Sequence, residues 1–166
     1  MAVYRYLAID CGDSAAADAM AAGFSDLPLV LEDGLRTRCG VMTRRDGGGR
    51  SWCLVRPFGA SSNAAWLDGS REPLLASVEQ CVSLGAALYA QLRTAPPFAR
   101  ALYGAEAFDA FFDVEDLHDL FAGGAGLFDT GWEGLVLHRA LHASLGAPGG
   151  FVPFREDAVW RPYPCG

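Results

Sequence analysis

The sequence predicts an α+β fold: an antiparallel or mixed sheet of roughly four to six strands, with two or three helices packed on one face. Three observations predict it. Residues 28 to 58 alternate apolar and polar side chains around two turn signals, Asp33-Gly34 and Asp46-Gly47-Gly48-Gly49. Residues 70 to 92 carry an apolar stripe at helical spacing. Val3 to Asp10 is rich in β-formers and leads into an Ala-rich stretch. Strands repeat with period 2 and helices with period 3.6, so these patterns separate the two element types. No internal repeat or charge-rich linker divides the 166 residues, which fits one globular domain over 1–166.

The elements follow in order. Val3–Asp10 is a strand, and Cys11-Gly12-Asp13 turns the chain. Ser14 caps a short helix that Gly23 closes. Leu27–Glu32 and Leu35–Arg44 are strands joined at Asp33-Gly34, where a type I′ turn would need positive φ at both residues. Ser51–Phe58 completes a three-stranded antiparallel meander. Residues 59–69 form a loop. Ser70 then caps a long helix with Glu72 and Pro73 in its first turn. Its inner stripe is Leu74, Val78, Cys81, Val82, Gly85, Leu88, Tyr89 and Leu92. After Pro96-Pro97 a second helix is expected, with Phe98, Ala101, Leu102, Ala105, Phe108 and Phe112 inward. Asp113 caps a third, with Val114, Leu117, Leu120 and Phe121 inward. Trp132–Leu137 reads as a strand, followed by a short helix that stops at Gly146. A last extended segment lies near Ala158–Arg161.

Charge is segregated along this chain. Ala101 to His138 holds eight acids and no Arg or Lys, whereas Leu35 to Arg56 holds six arginines against one acid, Asp46. All thirteen basic residues are Arg. The net charge of −7 disfavours nucleic acid and anionic membranes, because phosphate binding needs clustered cations. The longest uncharged stretch, Gln80–Leu92, is too short to span a bilayer, and Arg5 interrupts the first apolar run, so no signal peptide is expected. The five cysteines (Cys11, Cys39, Cys53, Cys81, Cys165) are odd in number and include no C-x-x-C. They read as reduced thiols of a cytoplasmic protein.

No segment carries a specific catalytic motif. His138 and His142 have the spacing of a zinc-binding helix, but Arg139 stands where such a motif has its glutamate, and two ligands do not make a site. They read instead as histidines in the last turns of a helix, where the dipole favours them, and no metal or cofactor is expected. Asp10-Cys11-Gly12-Asp13-Ser14 resembles the acidic nucleophile loop of haloacid dehalogenase-type phosphotransferases. It departs from that loop in its aspartate spacing, and the chain has no lysine to complete the set. A capped turn is the better reading. Arg36 and Arg38 share one strand face, opposite Val41. They read as edge charges that block aggregation, with Arg36, Arg38 or Arg56 holding an anionic ligand as the alternative.

Capping and helix-dipole effects account for Asp113, Glu115 and Asp116. They do not account for Glu106, Asp109, Asp119, Asp129 and Glu133, which with Trp132 are the candidate partner-binding residues. In size, acidity, mixed α/β pattern and aromatic richness the chain resembles the small acidic bacterial immunity proteins that neutralise interbacterial toxins. The resemblance implies a cytoplasmic binding module and not an enzyme. It implies an acidic surface laid over the basic active site of a toxin encoded nearby. The alternatives are a small enzyme or ligand-binding protein using Arg36, Arg38 or Arg56, and a self-assembling subunit such as a homodimer.

Overall fold

The structure, a computed structural model, describes residues 5–58, 78–105, 117–118, 121 and 133–163. Within these residues the elements run β1 (Arg5–Gly12), α1 (Ser14–Phe24), β2 (Pro28–Val30), β3 (Arg36–Arg45), β4 (Ser51–Pro57), α2 (Val78–Leu92), β5 (Arg100–Ala105), β6 (Val136–His138), α3 (Arg139–Ser144), β7 (Val152–Arg155) and β8 (Ala158–Trp160). The class is α+β, as the sequence predicts. The sheet is larger than expected: eight strands in the order β2-β3-β4-β1-β5-β6-β8-β7, every pairing antiparallel.

The meander forms as read, but with a different turn. Gly34 carries the positive φ of 85° and Asp33 does not. Gly34 N donates to Leu31 O, and Leu31 N donates to Leu35 O, which makes a three-residue loop ending in a left-handed glycine. The Asp46–Gly49 turn repeats it, with Gly49 at φ 80°. A second correction falls on α1. Its cap is Asp13, whose Oδ1 accepts from Ala16 N at 2.9 Å, and Ser14 is the first helical residue. The helix runs through Gly23 and ends at Phe24, with Asp26 taking the left-handed turn at φ 54°.

The largest correction is β5. Arg100–Ala105 is a strand, where the sequence pattern predicted a helix. It lies between β1 and β6, and Ala101, Leu102 and Tyr103 are all buried. A strand covered on both faces loses its alternation, and its apolar run then mimics a helical stripe. Strand β7, which the sequence reading did not find, is short, carries Pro153 and lies at the sheet edge, the position proline tolerates.

Side-chain alternation divides the core between two faces. Leu7, Ile9, Cys53, Val55, Ala101, Tyr103 and Val136 pack against Met20 and Phe24 of α1 and Leu84, Leu88 and Leu92 of α2. Ala8, Trp52, Leu54, Leu102 and Leu137 pack on the opposite face with Leu117, Leu135 and Leu145, joined by Phe121 and Leu141. Along α2 the buried stripe runs through Leu84, and Val82, expected inward, is 50% exposed. Apolar residues cover too much of this helix for periodicity to centre its inner face. The predicted start of α2, from Ser70 to Leu74, lies outside the described residues. So do Phe108, Phe112, Asp113, Val114 and Leu120.

Beyond Ala101, where β6 no longer pairs with β5, Tyr89 substitutes for it. Its hydroxyl accepts from Tyr103 N at 3.0 Å and donates to Gly134 O at 2.7 Å. Gly134 itself sits at φ 89°, against the hydroxyls of Tyr89 and Tyr163.

Candidate functional site

Two arrangements of charged residues lie on the sheet face away from α1. The first is the half of that face that no described element covers. The register sets Val30 opposite Arg36, Pro28 opposite Arg38, Gly40 opposite Arg56 and Arg44 opposite Trp52. Even-numbered residues of β3 therefore share this face with Val30, Arg56 and Phe58. Arg36, Arg38, Arg44 and Arg56 are all exposed there. Among them stand three large apolar side chains, Val30 at 58%, Met42 at 54% and Phe58 at 50% exposure. Gly40 lets the Phe58 ring lie against the strand, since a Cβ there would come within 3.1 Å of the ring. Thr37, on the covered face, anchors Phe58 by donating from Oγ1 to its carbonyl at 2.8 Å. The predicted pairing of Arg36 with Arg38, and their opposition to Val41, hold in this register. Neither arginine forms an ion pair with a described residue.

The second arrangement is a buried row next to the first. Trp52, Asp10 and Arg100 are cross-strand neighbours on β4, β1 and β5. Asp10 is fully buried and Arg100 is 1% exposed. Asp10 accepts from Arg100 Nε at 3.1 Å and from Arg50 Nε at 2.8 Å. The Arg100 guanidinium lies 5.1 Å from the Trp52 ring centroid, a cation–π contact. Trp52 Nε1 donates to Asp46 Oδ2 at 2.7 Å, and Arg50 N donates to Asp46 Oδ1 at 2.9 Å. Burial lowers the Arg100 pKa against the pull of Asp10, while the hydrogen bond to Asp10 raises that of Arg50. Burial pushes Asp46 upward, but bonds from Trp52 and Arg50 outweigh it and hold the carboxyl below its ordinary value.

This row closes the nucleophile-loop resemblance. Asp10 is occupied by two arginines and Asp13 is a helix cap. Cys11, Cys39 and Cys53 are not activated nucleophiles either. Burial pushes Cys11 and Cys53 up to about 12 and Cys39 up to about 11, whereas a reactive cysteine needs a lowered pKa.

Of the two histidines, His142 lies in the last turn of a helix as read, whereas His138 does not. His138 caps the start of α3, its Nδ1 accepting from Ala140 N at 3.1 Å. His142 lies in the last turn, with Nε2 3.1 Å from Pro148 O. Of the candidate partner-binding residues, Glu106, Asp109, Asp119, Asp129 and Trp132 lie outside the described residues. Glu133 is half-buried in the turn before β6, close enough to Tyr163 to add to the upward shift that burial gives that hydroxyl.

Sequence reasoning missed the Asp10 row, because Arg50 and Arg100 lie 40 and 90 positions away from Asp10. Acidic and basic residues of one row look unrelated until strand register is known. Comparison with family models, with curated proteins and with solved structures finds no significant match.

Proposed function

We propose that the chain is a protein-binding module that acts by covering a partner's surface, in the manner of bacterial immunity proteins, and not by chemistry. The observation that carries this reading is the exposure of large apolar side chains on the meander face. That face sets Arg36, Arg38, Arg44 and Arg56 around Val30, Met42 and Phe58. Apolar anchors ringed by charge give residence time and steered encounter together. The partner patch that fits this face is acidic with an apolar centre. A flat sheet face also favours a macromolecule over the small anionic ligand considered for Arg36, Arg38 and Arg56, since small ligands bind in concave sites. The acidic residues Glu106, Asp109, Asp119, Asp129 and Glu133 remain, with Trp132, a second proposed contact, suited to a basic toxin surface. Among the described residues no helix is long and apolar enough to cross a membrane. We place the action of the module in the cytoplasm, where unpaired thiols persist.

The test is co-purification with the product of the neighbouring gene, followed by charge reversal. Arg36→Glu with Arg38→Glu should slow association and flatten its salt dependence at unchanged melting temperature, because exposed charges act through the on-rate. Reversal of the five acids to Arg should do the same if the partner is basic. A captured partner indifferent to both sets would overturn the proposal.

A further inference from the structure

We propose that the outer edge of β3, from Val41 to Arg45, accepts an extended acidic segment of a partner protein as an added strand. The inference rests on the binding-module reading and specifies how the partner engages.

Hydrogen-bond phase identifies the open groups. Phe58 N donates to Arg38 O at 2.9 Å and Asp46 N donates to Arg50 O at 3.0 Å, which brackets the β3–β4 ladder. In an antiparallel pair such bonds recur at every second residue, so Gly40, Met42 and Arg44 face β4. Thr37, Cys39, Val41, Thr43 and Arg45 aim their N–H and C=O groups the other way. The first two are used: Thr37 sits opposite Leu29 of β2, Cys39 N donates to Leu27 O, and Asp26 N donates to Cys39 O. Then the neighbouring chain leaves. Asp26, at φ 54°, joins it to α1, which packs under the sheet and not beside it. The outward groups of Val41, Thr43 and Arg45 meet no described strand. A row of open main-chain groups is what strand addition uses.

A cleft of about 180 Å³ lies along this edge, lined by Ser14, Asp18, Thr43, Arg45 and Ser51 among others. Ser51 is only 4% exposed, and its hydroxyl bonds to no described residue. Arg45 is exposed and forms no ion pair with a described residue. A donor hydroxyl and a guanidinium together suit a carboxylate side chain entering from an added strand. Asp18 also lines the cleft and opposes the entry of a second carboxylate.

Charge selects the occupant. A second copy pairing about Thr43 would set Arg44 across from Met42 and Arg45 across from Val41, crowding four arginines into one two-stranded patch. The same arginines repel a basic edge and attract an acidic one, so they guard the edge and choose its partner at once.

The probe is a labelled, β-prone peptide alternating Glu and Val, with a Lys–Val peptide as control. Hydrogen exchange followed by NMR should show the amides of Val41, Thr43 and Arg45 gaining about tenfold or more protection with the acidic peptide, while Met42 and Arg44, already bonded to β4, change little. Thr43→Pro removes an outward donor and spares the ladder, a place proline tolerates, and should weaken binding about tenfold. If that variant fails to fold, Arg45→Glu and the exchange pattern of the unmodified protein carry the test. No gain of protection at the three amides overturns the proposal. So does equal binding of the Lys–Val peptide or of an oligonucleotide, or edge protection that appears only with dimerisation. Arg36→Glu with Arg38→Glu reports on the meander face alone, so failure of that reading and failure of this one are seen separately.

Discussion

Replacing Asp10 with Ala should be among the most damaging single changes to the described core. Asp10 is fully buried and is the counter-charge of Arg100, itself 1% exposed. Removing one member of a buried pair leaves an uncompensated charge and costs about 3–5 kcal/mol. With a urea slope of about 2–3 kcal/mol per M, the unfolding midpoint should fall by roughly 1–2.5 M. Arg50→Ala should cost far less, about 1 kcal/mol, because that side chain is 38% exposed and solvent screens its share. The paired change Asp10→Leu with Arg100→Met removes both buried charges, and should recover most of the loss because apolar replacements of buried pairs are near neutral. Urea denaturation of Asp10→Leu, Arg100→Met and the paired change forms a cycle whose coupling term isolates the pair. The reasoning fails if Asp10→Ala costs less than about 1 kcal/mol, or if the paired change is no better than Asp10→Ala.

Three further outcomes are expected. Gly134→Ala should cost about 2–4 kcal/mol, since the residue is at φ 89° and a Cβ would sit 2.5 Å from the Tyr89 hydroxyl; Gly47→Ala, with nothing within 4 Å, should be nearly neutral in the same thermal melts. Native alkylation near neutral pH should modify Cys11, Cys39 and Cys53 at least about a hundredfold more slowly than in the denatured chain, read by mass spectrometry; comparable rates would contradict their burial. Asp46 has a folded pKa below its unfolded one, so its contribution is complete above about pH 4 and is lost as pH falls through the folded value. Melting temperature against pH should therefore fall less steeply in acid for Asp46→Asn than for the parent, and parallel curves would reject the assignment.

Local chemistry made the meander legible. Gly34 and Gly49 mark its turns because only glycine enters the left-handed region freely, and the alternation between them needs no distant partner. The centre of the sheet was hidden for the opposite reason. Strand β5 is buried on both faces, so the pattern that would announce a strand is erased by its neighbours. The arginine-rich stretch was visible as a charge excess but not as a surface. Register divides it three ways: Arg36, Arg38, Arg44 and Arg56 on the open face, Arg45 on the other, and Arg50 turned inward to Asp10. The strand edge was equally unreadable, because it depends on where β2 begins, and that is fixed by the turn at Asp26.

The position of β1 has a consequence for how the chain is made. Its neighbours are β4, reached by residue 57, and β5, which starts at residue 100. A nascent chain can therefore close β2, β3, β4, β1 and α1 into a half-sheet early, while the far edge of β1 waits for β5 to be synthesised. During that interval Asp10 has Arg50 but not Arg100, and the apolar face around Leu7 and Ile9 has α1 but not α2. Pairings this distant in sequence slow folding, and an open central edge is the hazard of the waiting period. The arginine at residue 50 gives the waiting carboxylate a partner it can keep after the strand arrives.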